Sequence, residues 1–121
     1  MIVTDITPNL FISPSITNDN MAIGFNCPED LSQYAGGKMG AFIKINGKYK
    51  CVGLHIIQNS FFPIALWGSN KELKQQNGCL DNQQVQFAIL YNNKVIYVDE
   101  QPKVQGYVKD DIHVISHINF K

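Results

Sequence analysis

Arginine is missing from this chain. All ten basic residues are lysine, ten carboxylates balance them, and the formal net charge is zero. A nucleic-acid-binding domain needs a basic face and favours arginine for two-pronged contacts to phosphate and guanine, so that class is excluded. Charge is scarce in general, at 17% of residues against about 25% in ordinary soluble domains. No apolar run approaches the ~18 residues of a membrane-spanning helix. The start, Met1-Ile-Val-Thr-Asp-Ile-Thr-Pro8, has neither the basic nor the apolar region of a signal peptide. We therefore expect a protein made in a reducing cytosol, with no membrane contact. Three cysteines, Cys27, Cys51 and Cys79, have no Cys-x-x-Cys spacing. They allow one bridge with a thiol left over, but read better as three buried reduced thiols that act as small apolar residues.

Polarity comes instead from amides, with twelve Asn and nine Gln, while fifteen Ile dominate the apolar set. A neutral, amide-rich surface resists self-association poorly, because little charge repulsion keeps molecules apart. That composition points to a protein that packs against neighbours. A length of 121 residues with 45% hydrophobic positions is enough for one core, so residues 1–121 read as one domain.

Period-two alternation runs through most of the chain. Leu10-Phe11-Ile12 and Met21 to Phe25 are candidate early strands, and Asp30 to Tyr34 reads as a helical turn before Gly36-Gly37. Met39, Ala41, Ile43 and Ile45 share one strand face. Asn46-Gly47 is a strong hairpin signal, because both central residues of a type I′ turn need positive φ. Tyr49 to Ile57 returns as the partner strand. Phe61 to Trp67 follows, with Pro63 marking an edge position or a bulge. Ser69-Asn-Lys-Glu72 fits a capping box for a short helix ending at Asn77-Gly78, although its single apolar residue, Leu73, suits an ordered loop nearly as well. Val85, Phe87 and Ile89 alternate with polar or small residues, Asn92-Asn93 turns, and Lys94 to Val98 returns. Val104 to Val108 and Ile112 to Ile118 read as two last strands. Eight or nine short strands with this turn chemistry predict an all-β, antiparallel fold, a β-sandwich of immunoglobulin-like or jelly-roll-like type or else a closed barrel, with the sandwich favoured.

The groups that could carry chemistry do not assemble at this level. His113 and His117 have the spacing of a zinc helix, but their β-branched surroundings suit a strand, where they sit ~13 Å apart. One zinc ion with ~2 Å bonds cannot bridge that gap. Cys51 and His55 share an alternation face and are also ~13 Å apart, too far for proton transfer. Gly36-Gly37-Lys38 lacks the remaining residues of a phosphate loop. Asp99-Glu100 and Asp110-Asp111 fit no calcium loop and read as solvated turn acids. We expect no catalytic residues, no metal and no cofactor. Trp67 reads as the cap of the sandwich core. In the contrasting reading it is exposed and, with Ser69, Asn70 and Tyr34 at one end of the sandwich, stacks on a sugar or a partner surface.

Four pieces have a family likeness: Gly37-Lys-Met-Gly-Ala-Phe42, Cys51-Val-Gly53, Pro63-Ile-Ala-Leu-Trp-Gly68 and Asp81-Asn-Gln-Gln-Val-Gln-Phe87. Together they resemble, over residues 37–98, a β-sandwich module of Bacteroidetes surface and secreted proteins. That resemblance implies a sandwich with a core module over about residues 20–98 and Cys51 as a core residue. It also implies adhesive or spacer work. Lys38 and Ser69-Asn70 stand where the family carries acids, so an acidic ion site is not carried over. Residues 99–121 form a C-terminal extension expected to add edge strands or assembly contacts. The sequence-level expectation is a non-enzymatic bacteriophage virion component, assembled in the host cytoplasm, that decorates the capsid or joins a fibre or tail. Its partners would be other virion proteins or copies of itself. The alternative is a carbohydrate-binding or adhesion module that recognises a cell-surface glycan.

Overall fold

A computed structural model describes residues 6–14, 16–17, 19–69, 76–80, 82–99 and 107–120. Among these residues eight strands carry the fold: β1 (Asn20–Phe25), β2 (Lys38–Ile45), β3 (Lys48–Ile56), β4 (Phe62–Trp67), β5 (Gln86–Tyr91), β6 (Lys94–Asp99), β7 (Ile112–Ile115) and β8 (Asn119–Phe120). One short helix, α1 (Pro28–Leu31), runs into a 3-10 turn at Ser32–Tyr34. The smaller sheet has the order β4-β1-β7. The larger has the order β3-β2-β5-β6, extended at its edge by the two-residue β8. The two sheets form the expected β-sandwich.

Local chemistry accounts for both hairpins. Asn46 and Gly47 have φ of 53° and 79°, and Asn92 and Asn93 have φ of 50° and 61°. These are the left-handed values that a tight hairpin turn requires and that Asn and Gly adopt at least cost. Alternation then builds the core between the sheets. Met21, Ile23 and Phe25 of β1 and Phe62, Ile64 and Leu66 of β4 face Met39, Ala41 and Ile43 of β2 and Phe87 and Ile89 of β5. Phe25 stacks on Phe62 at 5.3 Å and meets Phe87 edge-on at 5.4 Å. Each such buried side chain contributes about 1.5–3 kcal/mol relative to exposure. At the corner between β3 and β4, a Cβ on Gly53 would lie 2.6 Å from the Ala65 carbonyl oxygen. Glycine is what lets the two backbones come that close.

A second apolar cluster lies on the outer face of the larger sheet. Phe42, Cys51 and Ala88 are buried there under Ile6 and Phe11, with Leu10, Tyr49, Leu54, Leu90, Val95 and Tyr97 packed around them. Phe11 meets Phe42 edge-on at 5.0 Å. The Tyr97 hydroxyl accepts a hydrogen bond from the Ile6 N–H at 2.9 Å. The N-terminal segment is thus a third layer. It does not form the strand expected at Leu10–Ile12: the chain makes a 3-10 turn at Pro8–Leu10 instead. Proline's fixed φ and missing N–H suit the first position of such a turn.

Three further expectations are corrected. β7 pairs with β1 in parallel, so the sandwich is not wholly antiparallel. β7 stops at Ile115, short of the expected Ile118. Tyr107 and Val108 are not strand residues, while 104–106 lie outside the described residues. The capping-box helix also falls mostly on residues 70–75, outside the described set. Pro63 does stand on an edge strand, as its missing N–H demands.

If the N-terminal layer is integral to the fold, Phe11→Ala should cost about 3–5 kcal/mol in urea unfolding, the range for emptying a buried aromatic site. A loss below about 1 kcal/mol would mean that the segment is not docked in solution.

Candidate functional site

Strand parity decides which side chains reach the surface. On β4 the residues Phe62, Ile64 and Leu66 are buried, whereas Pro63 and Ala65 are exposed and Trp67 is half-buried. Trp67 therefore lies on the outer face of the smaller sheet, opposite Asn20 of β1, and does not cap the core. Ala22 and Gly24 of β1 are paired with Ala65 and Pro63 on one side and with Ile112 and Val114 on the other. Ile112 is 74% exposed, Val114 52% and Phe61 49%. The Phe61 ring lies over Gly24. Between Asn20 and Asn26 this face of the described strands carries apolar side chains alone. Single exposed apolar residues are ordinary, but a contiguous apolar sheet face marks a contact surface.

The other expected site residues are divided. Ser69 is buried beside Trp67, and its hydroxyl accepts the Asn77 N–H and donates to the Asn77 side-chain oxygen, both at 3.2 Å. The Ser69 N–H donates to the Cys79 carbonyl at 2.7 Å and the Cys79 N–H to the Trp67 carbonyl at 3.0 Å. Asn70 lies outside the described residues. Tyr34 packs edge-on against Tyr91 and Phe120, at 5.6 and 5.3 Å. It thus sits at the end of the sandwich where β2 begins and β4 starts, whereas Trp67 closes the far end of β4, roughly 17 Å along the strand. The structure joins Trp67 to Ser69 and separates both from Tyr34. Sequence reasoning missed Ile112, Val114 and Phe61 as members of the same face, because their grouping depends on which strands are neighbours.

The histidine and cysteine pairs are separated more firmly than spacing alone implies. The register of β3 on β2 jumps from Ala41↔Gly53 to Phe42↔Cys51, leaving Val52 as a bulge. Cys51 consequently joins Phe42 in the outer cluster, while His55 pairs with Met39 and stacks on Phe62 on the inner side. The two do not share a face, contrary to the alternation reading. His113 is on β7, whereas His117 lies beyond its end with Nδ1 3.2 Å from an Asp30 carboxylate oxygen. Among the described residues, no group of three or more His, Cys, Asp or Glu is placed to hold a metal ion.

An open groove of about 340 Å³ on the outer side of the larger sheet is lined by Phe42, Lys44, Tyr49 and Gln83 to Gln86. The Lys44 ammonium already lies 5.0 Å over the Tyr49 ring. Gln83 donates to the Lys44 carbonyl at 3.1 Å and accepts from the Leu80 N–H at 2.9 Å. Those polar groups brace the loop before β5.

The class defined by this geometry is an all-β sandwich with an apolar outer face. Comparison with known protein families, curated proteins and solved structures found no match. Among the described residues no helix is long and apolar enough to cross a membrane.

All three cysteines are buried and unpaired. Burial, reinforced by the Asp30 charge, pushes the Cys27 thiol up from 9.0 to about 11. Burial pushes Cys79 up to about 12 and raises Cys51 as well. Such thiols are poor nucleophiles at neutral pH. In the unfolded chain they ionise near 9.0, while the folded chain holds the protons. Their contribution to stability is therefore complete below pH 9 and is lost as pH rises toward 11–12. We expect the melting temperature to fall between about pH 9 and about pH 11, and Cys79→Ala to flatten that fall. An unchanged slope in the variant would refute the assignment to this thiol.

Proposed function

We propose that the chain is a non-enzymatic structural and interaction protein that works by burying sheet surface against its neighbours. The observation that carries this reading is the outer face of the smaller sheet, where Ile112, Val114 and Phe61 stand exposed around Ala22, Ala65 and Pro63. The setting we propose is a bacteriophage virion, in which the protein decorates the capsid or joins a fibre or tail. Its neighbours there are other virion proteins and copies of itself. A neutral, amide-rich surface supports close packing of many copies, because little long-range repulsion has to be overcome. The abundance of Asn, Ile and Lys with no Arg also fits an AT-rich genome.

One observation favours a second reading, that of a carbohydrate-binding or adhesion module. The indole of Trp67 is on the outside of the sandwich, where an aromatic face can stack on a sugar ring.

Mass spectrometry of purified particles decides the first reading: we expect this protein at a fixed stoichiometry to the major capsid protein. Its absence from particles would overturn the virion setting. Titration with cell-surface polysaccharides addresses the second, with saturable binding that Trp67→Ala abolishes as the supporting result. Binding equal in wild type and variant would remove Trp67 from it.

A further inference from the structure

We propose that β7 is the strand through which two copies of this chain pair, edge to edge and antiparallel, about a two-fold axis at His113. This deepens the reading of the chain as an interaction protein, on which it rests, by naming the partner and the contact.

Among the described residues, four strands form the edges of the two sheets: β4 and β7 of the smaller, β3 and β8 of the larger. Exposed edges invite pairing with other chains, and proteins blunt them with proline, lysine, bulges or extreme shortness. β4 carries Pro63. β3 carries Lys48 and Lys50 and the bulge at Val52. β8 is two residues long. β7, Ile112-His-Val-Ile115, has no lysine, no proline and no bulge.

The backbone of β7 is also aimed outward at defined positions. The Ala22 N–H donates to the Asp111 carbonyl at 3.0 Å, and the Asn26 N–H to the Ile115 carbonyl at 2.8 Å. Bonding alternates along a parallel pair, so Asp111, His113 and Ile115 turn their peptide groups to β1. Ile112 and Val114 turn theirs to the open edge, and among the described residues none bonds to them there. Both ends of the strand are fixed. Lys109 pairs with Asp19 at 3.1 Å, and the Asp110 N–H donates to the Asn20 carbonyl at 2.8 Å. Beyond the other end, His117 pairs with Asp30. The edge is therefore held in shape before any partner arrives.

Two N–H and two C=O groups at this spacing are met together by an extended strand. A second copy meets them symmetrically. With the axis at His113, Ile112 lies opposite Val114 of the partner subunit, and each of the two such pairs exchanges N–H···O=C bonds. The apolar side chains of all four residues then adjoin on the outer face. The two three-stranded sheets become one six-stranded sheet with a continuous apolar side. Isologous contacts of this kind are the commonest in homo-oligomers, and a chain of zero net charge presents little repulsion to them.

A four-residue edge buries less than the about 800 Å² per partner of a stable interface, so pairing of the free chain is concentration-dependent. Sedimentation equilibrium of the full chain from about 10 μM to about 1 mM should show a reversible monomer–dimer equilibrium. Val114→Pro removes an N–H that bonds nothing among the described residues, at an edge position where proline is tolerated. It should weaken dimerisation at least about tenfold while the melting temperature stays within about 3 °C. Ile112→Lys, which leaves the backbone intact, should weaken it similarly and decides the matter if the proline variant does not fold. Wild type that stays monomeric over the whole range overturns the proposal, as does a dimer that survives Ile112→Lys. Failure of the broader reading looks different: a chain that pairs through β7 but is absent from particles loses its virion setting and keeps its edge contact. A chain found in particles but monomeric through 1 mM keeps the setting and loses the edge contact.

Discussion

The larger sheet is apolar on both faces, and a two-layer sandwich can cover only one. Met39, Ala41, Ile43, Phe87 and Ile89 are buried by the smaller sheet. Phe42, Cys51 and Ala88, on the other side of the same strands, are buried by Ile6 and Phe11. The fold answers this constraint with three layers, and each layer has a different claim on solvent. The N-terminal segment saturates the outer face of the larger sheet. The outer face of the smaller sheet has no such cover among the described residues, and its exposed Ile112, Val114 and Phe61 are left to other contacts.

That asymmetry gives the molecule a direction. One side is closed by its own chain, with the Tyr97 hydroxyl holding Ile6 in place. The opposite side is apolar and bordered by an edge strand whose outward peptide groups bond to nothing among the described residues. Burial and hydrogen bonding converge there: the residues whose side chains are most exposed on β7 are those whose backbone is aimed away from β1. A surface of this kind is what the proposed association would use. The buried thiols belong to the opposite category, since desolvation keeps them protonated and inert.

Much of this architecture was legible in the sequence where the determinants are local. Asn46-Gly47 and Asn92-Asn93 mark their turns by conformational preference alone, and the alternation of Met21, Ile23 and Phe25 marks a strand without reference to its neighbours. Pairings between distant segments were not legible. Nothing in Ile112–Ile115 announces a parallel partner at Ala22–Phe25, because parallel and antiparallel strands carry the same side-chain pattern when half-buried. The bulge at Val52 has only Gly53 as a cue, and it reverses the side on which His55 lies. Trp67 was misplaced for a different reason. Both alternation sets of Phe61–Trp67 are apolar, so period two could not say which faces the core. Pro8 is a turn signal that the β-forming residues Leu10–Ile12 outweighed.

The proposed contact between two copies of this protein is the edge of the smaller sheet at β7. Amide hydrogen exchange of Ile112 and Val114, followed from dilute to concentrated chain, tests it most directly. Their N–H groups bond to nothing within the described chain and should exchange rapidly when dilute, then become protected together as concentration rises, while His113 and Ile115 are protected throughout. Equal, rapid exchange of Ile112 and Val114 at every concentration would contradict the account.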